Sequence, residues 1–215
     1  LRRVNYLKLQ SSPMSICYYK NHIYSYICSN NYRHVVRIDL KGNQYGLVSD
    51  SSCTRVKSIQ AKTNKIIVIQ DRNENSRICV YDLSGQLITS WQHTDYSRRY
   101  DYIGNKLAVI GYQVIVDDVS NKRLTVYSPT GDIMRHIPCA QLVWCSSLCE
   151  AGDDSVIITN YLEDKVYKLS LTTGQIEWTS TSVRDPTAVV CYADQYVLVT
   201  ALLSSTITVL DMKTG

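Results

Sequence analysis

His136, Cys139, Cys145 and Cys149 stand close enough along the chain to raise the question of a metal site. Thiolates and imidazoles hold zinc when four of them converge tetrahedrally. The spacing here, H-x2-C-x5-C-x3-C, matches no common zinc arrangement. Cys145 and Cys149 have the same parity, so a strand would put them on one face, about 13 Å apart. They read as core cysteines, which behave as small hydrophobes. His22, His34 and His93 fall in different segments and loop types, with no sign of converging. Asp117–Asp118 and Asp153–Asp154 could be paired carboxylates for acid–base work. Both pairs sit at strand ends or turns, where Asp bonds the nearby backbone. No nucleophile elbow, phosphate loop or dinucleotide fingerprint occurs. The expectation is a non-catalytic chain with no metal and no cofactor.

What remains is recognition chemistry. Candidate binding residues are Tyr32, Arg33, Arg55, Arg72, Arg77, Tyr96, Arg98, Arg99, Tyr100, Lys122, Arg123 and Arg184. Arginines interleaved with aromatic rings are what single-stranded RNA recognition uses, charge for phosphates and rings for bases. The same loops, with Lys165 included, also carry Asp50, Asp71, Glu74, Asp95, Asp117, Asp118, Glu163, Asp164 and Asp185. Ten cationic residues against nine acidic ones leave a surplus of one. Phosphate binding calls for a clear basic excess. The mixture favours a protein partner over RNA. If RNA does bind, Arg98 and Arg99, with Arg55, Arg72 and Arg77 beside them, are where it belongs.

The elements that position these residues announce themselves as a repeat. VVRIDLKG (35–42), ICVYDLSG (78–85), LTVYSPTG (124–131), VYKLSLTTG (166–174) and ITVLDMKTG (207–215) each run from an alternating strand into a polar turn closed by glycine. The glycines are 43, 46, 43 and 41 residues apart. A short apolar strand precedes each unit, another lies before that, and a fourth comes after each of the first four glycines. Four short strands joined by tight turns form one up-and-down sheet whose faces must be covered by copies of itself. The pattern predicts an all-β propeller of four-stranded antiparallel blades. The repeats span about 13–52, 53–96, 97–139, 140–184 and 185–215 of a single domain, with 1–12 as an outer strand ahead of them. That strand either completes the last blade of a five-bladed ring, or the chain holds five blades of a six-bladed one. In such blades the loop between strands two and three opens on the same face as the connection to the next blade. The candidate binding residues gather there.

Composition fits this reading. Apolar residues make up 45% of 215, enough for a core, and charged residues 20%. The net charge of +4 neither demands nor excludes an anionic partner. Seventeen Tyr stand beside no Phe, a compositional drift that suits half-buried sheet faces. No apolar run reaches the roughly 18 residues needed to span a membrane. Eight cysteines in apolar strand patterns and no Asn-x-Ser/Thr sequon point to free thiols in a reducing, cytoplasmic setting. Leu1 in place of Met points to a piece of a longer chain.

VIVDDVSNKRLTVYSPTGDIMRHI (114–137) resembles an NHL repeat: strand, Asp, polar loop with Asn and Arg, strand, Gly turn, strand. IVIQDRNENSRICVYDLSGQLITSW (67–91) and SNNYRHVVRIDLKGNQ (29–44) are similar. NYLEDK (160–165) and LLSSTI (202–207) lack the Asn-x-Arg element and look closer to later repeats of TRIM-type NHL proteins. The resemblance implies a propeller, commonly six-bladed, that recruits a substrate protein or an RNA. Any ubiquitin-ligase activity, and any coiled-coil oligomerisation, would then reside in segments absent from this chain.

Overall fold

The computed structural model describes residues 12–28, 33–49, 55–72, 75–93, 106–152 and 154–215. Their elements are almost entirely antiparallel strands. The first sheet is β1 (Ser12–Tyr19), β2 (His22–Cys28), β3 (Arg33–Asp39) and β4 (Gln44–Ser49), in that spatial order. The second is β5 (Arg55–Lys62), β6 (Lys65–Arg72), β7 (Asn75–Asp82) and β8 (Leu87–His93). The third is β9 (Leu107–Ile110), β10 (Gln113–Asp118), β11 (Arg123–Tyr127) and β12 (Ile133–Pro138). The fourth is β13 (Cys145–Glu150), β14 (Ser155–Asn160), β15 (Lys165–Ser170) and β16 (Ile176–Ser180). The fifth has three strands among the described residues: β17 (Pro186–Tyr192), β18 (Tyr196–Ala201) and β19 (Thr206–Asp211). These are the blades of a β-propeller, as the glycine period requires. The described residues contain no helix long and apolar enough to cross a membrane.

The chain divides after His93 into two compact units. In the first, Tyr24, Tyr26 and Val35 from one sheet meet Ile59, Ile66, Val68 and Tyr81 from the next. In the second unit there are two such cores. Leu124, Val126, Val156, Ile158 and Leu169 fill the space between the third and fourth sheets. Ile157, Val166, Val197, Val199 and Leu210 fill that between the fourth and fifth. The second strands β6, β10 and β14 are therefore buried on both faces, all six residues of β14 included, whereas β18 alternates buried residues with exposed or half-buried ones. Burying one such aliphatic side chain stabilises the fold by roughly 1.5–3 kcal/mol. With no Phe available, Tyr24, Tyr26, Tyr81, Tyr127 and Tyr167 serve as core aromatics, each at most 6% exposed. That is deeper than the half-buried faces expected of them. Burial pushes the Tyr127 hydroxyl up to about 12.

One turn recurs in every sheet, at the end of strand three. Asp39 Oδ1 accepts from the amides of Lys41 and Asn43, Asp82 Oδ1 from Ser84 and Gln86, and Asp211 Oδ1 from Lys213 and Thr214. In the third and fourth sheets Ser128 and Ser170 take the same part. A carboxylate or hydroxyl thus ties the turn together from its first residue. The closing glycine adds a second requirement. Gly85 has φ +90, and a methyl group there would overlap the carbonyl of Leu47 on β4 of the preceding sheet. Gly174 and Gly215 likewise lie against Ile137 on β12 and Trp178 on β16. Turns of one blade nest on the outer strand of the blade before it; at Gly85 and Gly215 this demands glycine more firmly than φ alone, while at Gly174 a methyl group would make only ordinary contact with Ile137.

Gly85→Ala is expected to destabilise by about 2–4 kcal/mol in urea unfolding, against about 1 kcal/mol for Gly111→Ala. Gly111 also has positive φ but has open space around it.

Hydrogen bonds hold three turn carboxyls below the usual 3.8: the Asn43 side chain first for Asp39, the Ser84 hydroxyl first for Asp82, and the Lys213 amide first for Asp211. Their contribution is present above that value and is lost as pH falls through the lowered one. A triple Asn variant at Asp39, Asp82 and Asp211 should unfold at lower urea at pH 7. Its stability should fall less than that of the parent chain between pH 4 and pH 2.

Candidate binding face

The face expected to bind is built where second strands end. In the third, fourth and fifth sheets β10, β14 and β18 each lead into a loop of four residues: Asp118 pairs with Arg123, Asn160 with Lys165 and Ala201 with Thr206. The fourth loop residue is left-handed each time, at Lys122 (φ 50), Asp164 (φ 55) and Ser205 (φ 52). Connections between sheets run alongside these loops. Cys139 N donates to Lys122 O at 2.8 Å, Tyr161 N to Trp144 O at 3.2 Å, and Leu202 N to Asp185 O at 3.1 Å. The two kinds of loop thus share one end of the sheets within the second unit, as the strand count anticipated.

What differs is how each loop is held. In the third sheet Asp118, 2% exposed, accepts from Asn121 Nδ2 at 2.8 Å and from Arg123 Nε at 2.7 Å. Its Oδ1 also caps the short turn Val119–Asn121 by accepting from the Asn121 amide. The Asp, Asn and Arg that carried the family resemblance therefore brace one loop from inside. In the fourth sheet a fully buried Asn160 replaces Asp118. Its Nδ2 donates to the carbonyls of Gln141 and Val143, and its Oδ1 accepts from the Glu163 amide. Glu163 also accepts the Tyr167 hydroxyl at 2.5 Å and the Lys165 ammonium at 3.3 Å. The Tyr167 bond, ahead of the Lys165 contact, holds the Glu163 carboxyl below its usual range. Asp164 Oδ1 accepts from the Asp185 amide at 2.7 Å, latching the fourth loop to the connection that leads into β17.

The candidate residues separate on these bonds. Lys122 and Arg184 are exposed on the face. Arg123 is occupied by Asp118. Arg77 lies within β7, and its guanidinium donates to Ser90 on β8, so it serves its own sheet. The residue opposite explains this: counted from the turn residues Asp82 and Ser128, Arg77 and Arg123 hold the same place, but Arg77 pairs with Gln70 where Arg123 pairs with the carboxylate of Asp118. Arg33 and Arg55 begin β3 and β5, and Arg72 ends β6. Tyr32, Tyr96, Arg98, Arg99 and Tyr100 lie outside the described residues. Three residues passed over in the sequence come to the fore instead. Leu162 is 54% exposed, Leu202 60% and Leu203 77%. Leu162 is in the loop that Asp164 latches, and Leu202 bonds the same Asp185. Leucine in a loop where other sheets place Asn, Ser or Arg was the signal available.

Three of the four paired carboxylates, Asp117, Asp118 and Asp154, accept from backbone amides. Asp117 Oδ1 accepts from the Lys106 amide at 2.6 Å, and Asp154 Oδ2 from the Thr172 amide at 3.2 Å; Asp153 lies outside the described residues. The expectation that Cys145 and Cys149 share a face is overturned. A bulge between Cys145 and Ser147 shifts the register by one. Cys145 consequently joins Cys139 in the core toward the third sheet, and Cys149 enters the core toward the fifth. An extra residue in a strand inverts every side chain beyond it. His136 is exposed on β12, its Nδ1 3.2 Å from the Thr125 hydroxyl. Among the described residues no three His, Cys, Asp or Glu side chains are grouped to hold a metal ion.

No family model matches the sequence, and no curated protein matches it. Solved structures do match in shape. A protein of unknown function from Bacteroides caccae aligns over 96% of this chain and 81% of its own, with TM-score 0.72 and 8% identity. A chain of a nidogen–laminin complex aligns over 93% and 76%, with TM-score 0.67 and 12% identity. A streptogramin B lyase aligns over 95% and 71%, with TM-score 0.63 and 12% identity. At such identities the likeness concerns the fold, and the fold this chain has in common with them is the β-propeller.

Proposed function

We propose that this chain is a non-catalytic recognition propeller that binds a protein partner through the loop face of its fourth and fifth blades. The observation that carries this reading is the set of exposed leucines at the Asp164–Asp185 latch: Leu162, Leu202 and Leu203, with Arg184 beside the latch. Apolar side chains held out on a hydrogen-bonded loop gain free energy only when something apolar covers them. Nucleic acid offers phosphates and base faces, and calls for cations and rings instead. Two cations of the face, Arg123 and Lys165, are engaged with Asp118 and Glu163. The nidogen–laminin likeness supports the reading only as an instance of this fold in a protein complex.

The finer expectation goes with this one. The chain would be the substrate-recruiting part of a TRIM-NHL-like ubiquitin ligase in the cytoplasm, with catalysis in a RING domain elsewhere. The polar end of the face, with Lys122, would flank the apolar contact. Charges at the rim of a hydrophobic contact steer and orient partners more than they add affinity.

The test is capture of partners from nuclease-treated extract, then a direct affinity measurement with the purified partner. Leu202→Asp with Leu203→Asp should weaken binding at least tenfold, while Arg98→Glu with Arg99→Glu should change it little. Arg123→Ala should lower stability by about 1–2 kcal/mol, because it leaves the Asp118 carboxylate short of a donor, and leave affinity alone. If the leucine variant binds as well as the parent chain, the reading fails. Steeply salt-dependent binding of single-stranded RNA, lost in the Arg98/Arg99 variant, would replace it with the RNA-binding alternative.

A further inference from the structure

Cys149 on β13 and Cys191 on β17 face each other across the core between the fourth and fifth sheets, with their sulfurs 3.3 Å apart. Cys149 is buried among Val166, Val189 and Val199, while Cys191 is half-buried at the margin of the same cluster. A disulfide is about 2.05 Å long, so bond formation requires roughly 1.2 Å of combined sulfur movement. The neighbouring thiols make other contacts. Cys139 Sγ lies 3.5 Å from the Gln141 side-chain oxygen and Cys145 Sγ 3.4 Å from the Ser147 carbonyl.

We propose that Cys149 and Cys191 form an oxidisable dithiol, a modification site where a hydroperoxide converts two thiols into a disulfide that staples the fourth blade to the fifth. Cys191, the more accessible, meets the oxidant first. Its sulfur attacks the peroxide O–O bond and takes one oxygen. The other oxygen leaves as water, and a sulfenic acid remains. Cys149 sulfur then attacks the Cys191 sulfur. The S–S bond forms, the S–O bond breaks, and the Cys149 proton departs with the hydroxide as a second water. Two thiols and one hydrogen peroxide give one disulfide and two waters. The contact with Cys191, and then burial, push the Cys149 thiol up, so it is the poorer group to meet the peroxide and gives up its proton only as it attacks the adjacent Cys191 sulfur.

The experiment treats the reduced chain with hydrogen peroxide and then alkylates it under denaturing conditions. Expected are a mass loss of about 2 Da before alkylation, two alkyl groups fewer than in the untreated chain after it, and one cross-linked peptide pair joining Cys149 to Cys191. Because the positions are 42 residues apart, the bond should raise the melting temperature by roughly 5–10 °C, and a thiol reductant should reverse the rise. Cys191→Ser should abolish both the cross-link and the rise. Cys149→Ala should leave Cys191 to oxidise further, to the sulfinic acid. The inference is overturned if both thiols remain alkylatable while exposed thiols of a control peptide are fully oxidised. A cross-link joining any other pair of cysteines would also overturn it.

Discussion

Ile157 and Ile158 are consecutive in β14, and both are wholly buried, one against the fifth sheet and the other against the third. Successive strand residues point to opposite faces, so this sheet has no face turned to water at its centre. Such a sheet is stable only between neighbours, and that requirement governs everything else in the second unit. It explains why β14 reads SVIITN rather than as an apolar–polar alternation. It also explains why polar chemistry is pressed out to strand ends and turns. The same logic holds between the first and second sheets, where tyrosines replace the absent Phe.

The requirement also sets the turns. A blade that must lie flat on its predecessor brings its closing turn onto the predecessor's outer strand, and Gly85 against Leu47 is the tightest example. The residue that opens the turn is either Asp or Ser, because either can bind the turn amides without a side chain that would hold the blades apart. Repetition here is of geometry first and of sequence second.

On the loop face the same scaffold carries different chemistry from blade to blade. Asp118 gathers Asn121 and Arg123, Asn160 gathers the connection at Gln141 and Val143, and Ala201 gathers nothing of the kind. The fourth loop keeps a polar brace in Asn160 and adds the Asp164–Asp185 latch, while the fifth, with Ala201 in that place, is held to Asp185 by the backbone of Leu202. Leu162, Leu202 and Leu203 are thereby left outward. A loop held from its backbone has side chains to spare for a partner.

The repeat period, the strands and the glycine turns were legible in the sequence because they depend on local rules: period two, turn chemistry and left-handed φ. The strand assignments for HIYSYIC and SVIITN agree with β2 and β14 residue for residue. The site was legible only as a location. Whether an arginine there is available depends on the residues across from it, Gln70 and Ser90 around Arg77 and Asp118 against Arg123. The faces of Cys145 and Cys149 depend on a bulge that leaves no mark in composition. The latch joins residues 21 apart, and the Cys149–Cys191 contact joins residues 42 apart. By itself the sequence determined which segments become strands and where they turn, since those energies are local. Tertiary structure alone decided which charges are spent and which apolar side chains are left outward, since those depend on contacts between segments distant in the chain.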